Sequence, residues 1–441
     1  MSRPRMEVVY TTLARWSYTA LFYLSVPLLL LNLLNRSRRQ PAYRQRLAER
    51  FGWCTRAQTP TPVWLHAVSV GEVEAAAPLI RQLIGRYNNV PPLVTCGTPT
   101  GSERIRQLFG DQVRHCYLPF DLPTSVDRFL ARNRPERAVI VEAELWPNLY
   151  AACHRRGVPL VLVNGRMSPG SFRNWSRVPR LARVMLGRIT AVLAQHGDDA
   201  KRFVALGAPA GRVQASGNIK FDKELPENLS QRTADLRRAL AWPDPTPPTW
   251  IGASVHPGEW PVLLDAFQRL RADWPTARLI LVPRHPERFD AARAAAEDAG
   301  WRVRLRSEAD GPKDYDVLIG DTMGELLVLL GLASVAFVGG SLVPVGGHNV
   351  LEPAALGMPV LFGPHRDSFR AAGDALVASD GGWEVEDAHA IVRHVHRLWS
   401  EPQALQATGE AARSVVTRNR GAVARVIQAL DAIAAPSAVK D

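Results

Sequence analysis

Cysteine is scarce in this 441-residue chain: Cys54, Cys96, Cys116 and Cys153 are the only four, and no two form a CxxC pair. That excludes a disulfide scaffold, a zinc ribbon and a thioredoxin-type site, and it suits a reducing compartment. No histidine cluster has metal-ligand spacing, so neither a metal nor another cofactor is expected. Acidic residues are in deficit, 42 against 54 lysines and arginines, for a net charge of +12. Anionic partners follow: phosphorylated ligands or an acidic membrane surface. Nucleic acid is not expected, because the arginines are spread along the chain and no module interleaves them with stacking aromatics, which make up only 7% of it. What is present, 46% hydrophobic and 22% charged residues, describes a folded chain, and the length suits two domains at roughly 100–200 residues each.

From Trp16 to Leu34 the sequence runs nineteen residues without a charge. As a helix this spans about 28 Å, close to the hydrocarbon thickness of a bilayer. No small-x-small cleavage site follows. Instead come arginines at 36, 38, 39, 44, 46 and 50 with one acid, Glu49. Residues 1–35 are therefore expected to be a membrane anchor, with the body of the protein on the cytoplasmic side and the arginines against anionic head groups.

Beyond the anchor, short β-type runs alternate with helical patterns. VWLHAV, PLVTC, VRHCYLP, RAVIVEA, VPLVLVNG and AVLAQ make one series, between Val63 and Gln195. TWIGAS, ARLILVPR, WRVRLR, VLIG, SVAFVGG and PVLFGP make a second, followed by a helical tail over about 385–432. Such alternation implies parallel sheets covered on both faces by helices. The expectation is an α/β protein of two Rossmann-like domains facing a cleft: an N-terminal domain over 36–224, a polar, proline-rich linker over 225–249, and a C-terminal domain over 250–441. Ligands of such sheets sit beyond the carboxyl ends of the strands, so the strand-to-helix loops carry the candidate sites.

In the C-terminal domain the stretch AFVGGSLVPVGGHNVLEPAALG stands out. Gly339, Gly340 and Ser341 close a buried strand, and a helix opens after Asn349, with Glu352 one turn in. Backbone N–H groups there are expected to approach a phosphate, and Glu352 to accept ribose hydroxyls. Ser254, His256, Arg284 and the Met323, Gly324, Glu325 loop end neighbouring strands and join the candidate donor site, with Lys220 beside the domain junction. In the N-terminal domain Ser69 and Gly71 form the turn into a helix whose first turn carries Glu72. A carboxylate there is expected to be held ionised by the helix terminus, which suits a general base. Glu142 and Glu144 end another strand, and Arg166, Ser168 and Arg173 follow the next. These are the candidate acceptor loops.

HAVSVGEVEAAAPLI, TPTGSERI, LPFDLP, EAELWPNL, NGRMS, GNIKFD, VPRHPERF, DTMGELL and FVGGSLVPVGGHNVLEPAALGMPVLFGPH follow one another across nearly the whole chain. Together they closely resemble the bacterial 3-deoxy-D-manno-octulosonic acid (Kdo) transferases of lipopolysaccharide assembly. The resemblance implies the two-domain GT-B architecture, a single N-terminal anchor in the bacterial inner membrane with the catalytic domains on its cytoplasmic face, and inverting transfer of Kdo from CMP-Kdo to the lipid A precursor (lipid IVA). It also implies roles: Glu72 as catalytic base, and Arg284, Met323 to Glu325, Gly339 to Ser341, Asn349 and Glu352 as CMP contacts. The sequence departs from the family pattern at TCGTPTG, at Ala143 and at Val350, none of them a charged or glycine position on which the reading depends. A nucleotide-sugar epimerase on the same scaffold is the alternative expectation.

Overall fold

In the computed structural model, residues 3–38, 40–87, 89–243, 246–308, 311 and 313–433 are described, with side chains from residue 14 onward. Arg39, Asp244 and Pro245, which belong to the basic segment and the expected linker, lie outside the described residues.

The chain divides into two units: residues up to Lys223 together with those from Arg420, and Glu224–Asn419. The first unit holds β1 (Trp64–His66), β2 (Leu93–Cys96), β3 (Arg114–Tyr117), β4 (Ala138–Val141), β5 (Leu160–Gly165), β6 (Ala191–Ala194) and β7 (Val213–Ala215). They form one parallel sheet in the order β3-β2-β1-β4-β5-β6-β7. The strands are apolar on both faces, as a sheet covered on both sides requires. Along β4, Ala138 and Ile140 enter the core of Trp64, Phe129 and Tyr150, while Val139 and Val141 enter that of Leu65, Leu79 and Val163.

The second unit repeats the plan with β8 (Thr249–Val255), β9 (Arg278–Pro283), β10 (Val303–Leu305), β11 (Val317–Ile319), β12 (Val335–Val338), β13 (Val360–Phe362) and β14 (Gly382–Glu384). The order is β10-β11-β9-β8-β12-β13-β14, again parallel. Two strands have no counterpart in the sequence reading, β7 and β14. Both are three-residue edge strands, VQA and GWE, too short and too polar to carry a pattern.

Three expectations need correction. The stretch 225–249 is not only a linker: Leu229–Ala239 is a helix, and Leu229, Leu236, Leu240 and Trp242 are buried in the core of the second unit. The last helix, Ala422–Ala432, belongs to the first unit, not to a C-terminal domain reaching 441. It buries Ala422, Val423, Val426 and Leu430 beside Val139 and Val161, and the Asp222 carboxylate accepts the Gly421 and Val423 N–H groups at its start.

The third correction concerns the N-terminus. Helix α1 runs over Arg3–Ser37, well beyond the uncharged stretch, and Ala14–Ser37 is long and apolar enough to cross a membrane. Trp16, Leu21, Leu24, Leu28, Leu31 and Leu34 stay exposed, yet Thr19 is buried against the first unit. Two of the arginines after it also turn inward. Arg50 is 6% exposed, donates to the Gly97 carbonyl and lies 4.4 Å over the Tyr117 ring, and Arg46 donates to Ser102 Oγ. Arg36, Arg38 and Arg44 remain exposed.

Candidate functional site

In the first sheet the chain reverses its direction of travel between β1 and β4, so the loops after these two strands flank a topological switch point. After β1 comes helix α2 (Val70–Arg86), with Glu72 in its first turn. Glu72 Oε2 accepts the Val68 N–H at 2.7 Å, and Oε1 lies 3.5 Å from Ser69 Oγ. Burial pushes its carboxyl up to about 7. The Val68 N–H and Lys220 oppose that rise, and Glu142 and Glu144 reinforce it. The helix terminus therefore does not hold Glu72 ionised as expected, because desolvation and two like charges outweigh it. A carboxyl balanced near neutrality is well matched to general-base work.

After β4, Glu142 adopts φ 62°, a left-handed conformation that a side-chain-bearing residue takes only when its surroundings enforce it. Its Oε1 lies 3.5 Å from Lys220 Nζ. Glu144, raised by burial, accepts the Trp146 indole N–H at 2.9 Å. Lys220 is held by its own short helical turn: Asn218 Oδ1 accepts the Lys220 N–H at 3.0 Å, and Asn164 Oδ1 accepts the Ile219 N–H at 3.1 Å. Asn164, fully buried with φ 54°, went unnoticed in the sequence except as part of the NGRMS string. Glu72, Glu142, Glu144 and Lys220 thus form one cluster, with Ser69 and the exposed Gly71 at its edge. Lys220, expected with the donor residues, pairs instead with an acceptor-loop glutamate.

Arg166 is exposed just beyond β5. Ser168 caps a helix: its Oγ accepts the Ser171 N–H at 3.1 Å at the start of Pro169–Ser176. Arg173 lies within that helix.

In the second sheet the switch point falls between β8 and β12. The end of β8 carries Ser254 (φ 58°) and the loop after it His256 and Glu259; the loop after β12 carries Gly339, Gly340 and Ser341. Here the expected cradle is already filled. Glu259, fully buried, accepts N–H bonds from His256 and Gly340 on Oε2 at 2.9 and 2.8 Å, and from Ser341 and Leu342 on Oε1, both at 3.0 Å. The Gly340 and Ser341 N–H groups are therefore not available to a phosphate. Gly339 is required by packing, since a Cβ there would lie 2.5 Å from Val255 Cα. Ser341 is fully buried, its Oγ accepting the Gly363 N–H at 2.8 Å, so its side chain ties two loops together rather than facing a ligand.

What this scaffold presents is a set of side chains. His256 Nε2 lies 2.9 Å from His348 Nε2, one donating and the other accepting, with the rings nearly parallel. Burial lowers both imidazoles, His348 to about 4, with Arg284 and His285 adding to the effect. The Arg284 side chain is exposed, and its backbone N–H bonds to the Val255 carbonyl. Asn349 Oδ1 accepts the Leu351 N–H at 3.0 Å, so its side chain takes the first N–H of the five-residue helix Leu351–Ala355 that was expected to meet the phosphate; Glu352 is partly buried in its first turn. Glu325 is engaged by Arg306 at 3.0 Å and by Thr322 Oγ1 at 2.6 Å, while Met323 is 65% exposed and Gly324 has φ 80°. Sequence reasoning missed Glu259 and His348. The Gly-Glu pair shared by SVGE and HPGE was the available signal for Glu259.

Among the described residues no group of three or more His, Cys, Asp or Glu side chains is arranged to hold a metal ion. The sequence does contain one Asp-x-Asp triplet, Asp314 to Asp316. It precedes β11, at the opposite edge of the sheet from these loops, and Asp316 is paired with Arg271 at 2.9 Å and Arg302 at 2.8 Å.

Three comparisons bear on this arrangement. The family model described as 3-deoxy-D-manno-octulosonic-acid transferase (kdotransferase) matches residues 45–223. The 3-deoxy-D-manno-octulosonic acid transferase of Haemophilus influenzae is 39% identical over 420 residues, covering 94% of this chain and 98% of that protein. The transferase of the same description from Bordetella pertussis is 38% identical over 434 residues, covering 95% and 99%. A solved UDP-GlcNAc 2-epimerase from Neisseria meningitidis superposes with a TM-score of 0.58 over 85% of this chain and all of that one. At 14% identity that likeness is one of fold.

Proposed function

This chain belongs to the Kdo transferase family, a glycosyltransferase that takes Kdo from CMP-Kdo, and from that premise we propose that it delivers the sugar to the lipid A precursor, lipid IVA, at a membrane surface. The observation that carries the reading is the cluster of Glu72, Glu142, Glu144 and Lys220 at the switch point of the first sheet. Membership of the family removes the epimerase alternative, whose support is fold alone.

Glu72 is the base. It takes the proton from an acceptor hydroxyl as that oxygen bonds to the anomeric carbon of Kdo and the bond from that carbon to the CMP phosphate oxygen breaks. The electron pair leaves with the cytidylate, and attack from the opposite face inverts the anomeric centre. Positive charge on the sugar ring grows as the bond lengthens, as in other glycosyl transfers. Glu142 and Glu144 orient the acceptor hydroxyls. Lys220 tempers the charge of the cluster, keeping Glu72 ionisable near neutrality.

On the donor side, Arg284 and the His256–His348 pair meet the departing phosphate, with Met323, Gly324, Asn349 and Glu352 around the nucleoside. The loop that carries the imidazoles is fixed by Glu259, so these groups need little rearrangement as charge develops. The pairing of Asp316 with two arginines favours stabilisation by cationic side chains over a divalent ion held by that triplet.

The apolar outer side of α1, with Arg36 in its last turn and Arg38 and Arg44 after it, attaches the protein to an anionic bilayer, and the excess of arginine on that side favours a cytoplasmic body. The test is to incubate the purified full-length protein with CMP-Kdo and lipid IVA and weigh the lipid product. A mass increase of one or more Kdo units supports the reading; an unchanged acceptor with consumed donor refutes it.

A further inference from the structure

The uncharged stretch of α1 carries hydroxyls that a plain tether does not need, and they meet protein. Thr19 Oγ1, 5% exposed, donates to Asn148 Oδ1 at 3.1 Å. The Tyr18 hydroxyl bonds to the carboxylate of Asp121, and Tyr23 Oη lies 3.3 Å from Thr124 Oγ1. One turn on from Tyr18, Phe22 sets its ring edge-on to Trp146, centroids 6.5 Å apart at 85°.

The Tyr23 contact reaches the helix Pro123–Asn133, and the other three lead to the loop between β4 and the helix Pro147–Arg155 or to the start of that helix. Asp121 accepts the Asn148 and Leu149 N–H groups at 3.0 and 2.8 Å and receives Asn148 Nδ2 on its backbone carbonyl at 2.8 Å, which fixes the start of that helix. Trp146, braced by Phe22, donates its indole N–H to Glu144, and Tyr150 Oη donates to the Glu144 carbonyl at 3.1 Å. Tyr18, Thr19, Phe22 and Tyr23 share one side of the helix, while Leu21, Leu24, Leu28 and Leu31 lie exposed.

We infer that α1 is a positioning element of the acceptor site as well as its membrane attachment: Phe22, through Trp146, holds the Glu144 carboxylate in place. The inference rests on the proposed role of Glu144 in orienting the acceptor. The groups around Glu144 are Glu142 on its own loop, Glu72 from α2, and Trp146 and Tyr150 from the helix that follows.

The test uses the full chain in lipid–detergent micelles, with CMP-Kdo and lipid IVA as substrates. Phe22→Ala and Trp146→Phe are each expected to lower kcat about tenfold, a modest misplacement by the standard of positioning effects. Both should move the acid limb of the kcat profile downward, because each weakens or removes the N–H bond that favours ionised Glu144 and a less ionised Glu144 raises Glu72 less, and the double variant should be no worse than Trp146→Phe alone. Leu24→Ala/Leu28→Ala should weaken flotation with anionic vesicles and leave kcat and the acid limb unchanged. Phe22→Leu, milder for folding, should show a smaller shift in the same direction. Wild-type kcat and acid limb in Phe22→Ala, or effects of Phe22 and Trp146 that multiply in the double variant, would overturn the inference. Glu144→Gln separates the two levels: full transfer refutes the acceptor role itself, whereas impaired Glu144→Gln with normal Phe22→Ala refutes only the part played by α1.

Discussion

The two sheets send equivalent central strands, β1 and β8, into the same dipeptide, Gly71-Glu72 in one and Gly258-Glu259 in the other, and the two glutamates do opposite things. Glu259 is fully buried and accepts four backbone N–H bonds, so every strong acceptor direction is used within the fold. Glu72 is partly buried, takes one firm N–H bond from Val68, and faces Glu142 and Glu144. Position in the topology does not assign chemistry: the saturated carboxylate of Glu259 is a structural brace, and the under-satisfied one of Glu72, in like-charged company, is the one we propose as base. The comparison also shows what the glycine-rich loop is for. Its N–H groups grip Glu259, and in the proposed function the ligand is met by side chains mounted on the braced loop.

The largest effect that divides the pair is on transfer. Glu72→Gln should lower the transfer rate about 10²–10⁴-fold, the usual worth of a positioned base. Cytidylate affinity should be unchanged, and thermal stability should not fall, since the variant removes a desolvated carboxylate from beside two others. Rate assays with calorimetric melting check this; transfer retained above a tenth of the wild-type rate would remove Glu72 as base.

Glu259→Gln should do the reverse. Its amide NH2 would face two N–H donors and leave them without acceptors, at a cost of about 3 kcal/mol or more. At ~2–4 °C per kcal/mol for a unit of this size, the melting midpoint should drop by about 6–12 °C. Cytidylate binding should weaken with it as the His256 loop loosens. A variant that melts like the wild type would show that the four bonds do not brace the loop.

The pH profile sharpens the contrast on the Glu72 side. A base must be deprotonated to act, and burial raises this carboxyl to about 7, so kcat/KM should rise with pH through that value and fall about tenfold per unit below it. Lys220 favours the ionised form, so Lys220→Met should move the acid limb upward and depress activity most at pH 6–6.5. An unmoved limb would mean that some other group controls it.

How much of this was legible varies with the kind of signal. Strands such as LVLV and LILV announced themselves because a parallel strand buried on both faces is apolar throughout, and the loops after them followed from the fold class. Glu72 could be read from its place one residue after a glycine in a first helical turn. Its protonation could not, because that depends on Glu142 and Glu144, seventy residues away in sequence. Glu259 was hidden by the glycines it serves: GGS suggests a ligand until the carboxylate occupying it is seen. The helix Leu229–Ala239 escaped notice because it buries only Leu229 and Leu236, with Leu240 and Trp242 just beyond it, in a polar, proline-rich stretch. The inward side of α1 was invisible for the opposite reason. Its hydroxyls looked like flaws in an apolar span, and only the partners Asn148, Asp121 and Thr124 give them a purpose.

The smallest effect belongs to Ser69, where the two readings of the loop part. Its Oγ lies 3.5 Å from Glu72 Oε1, at the outer limit of a hydrogen bond, and it makes no capping bond to the helix. If its only partner is that carboxylate, Ser69→Ala removes a weak interaction, and transfer should fall by less than about threefold, under ~0.7 kcal/mol, with the acid limb almost unmoved. If instead Ser69 touches the acceptor directly, the acceptor KM should rise markedly at constant donor KM, since a substrate hydroxyl would lose a partner in a site with few others. Measuring both KM values for this one variant therefore decides whether the turn before Glu72 serves the base or the substrate.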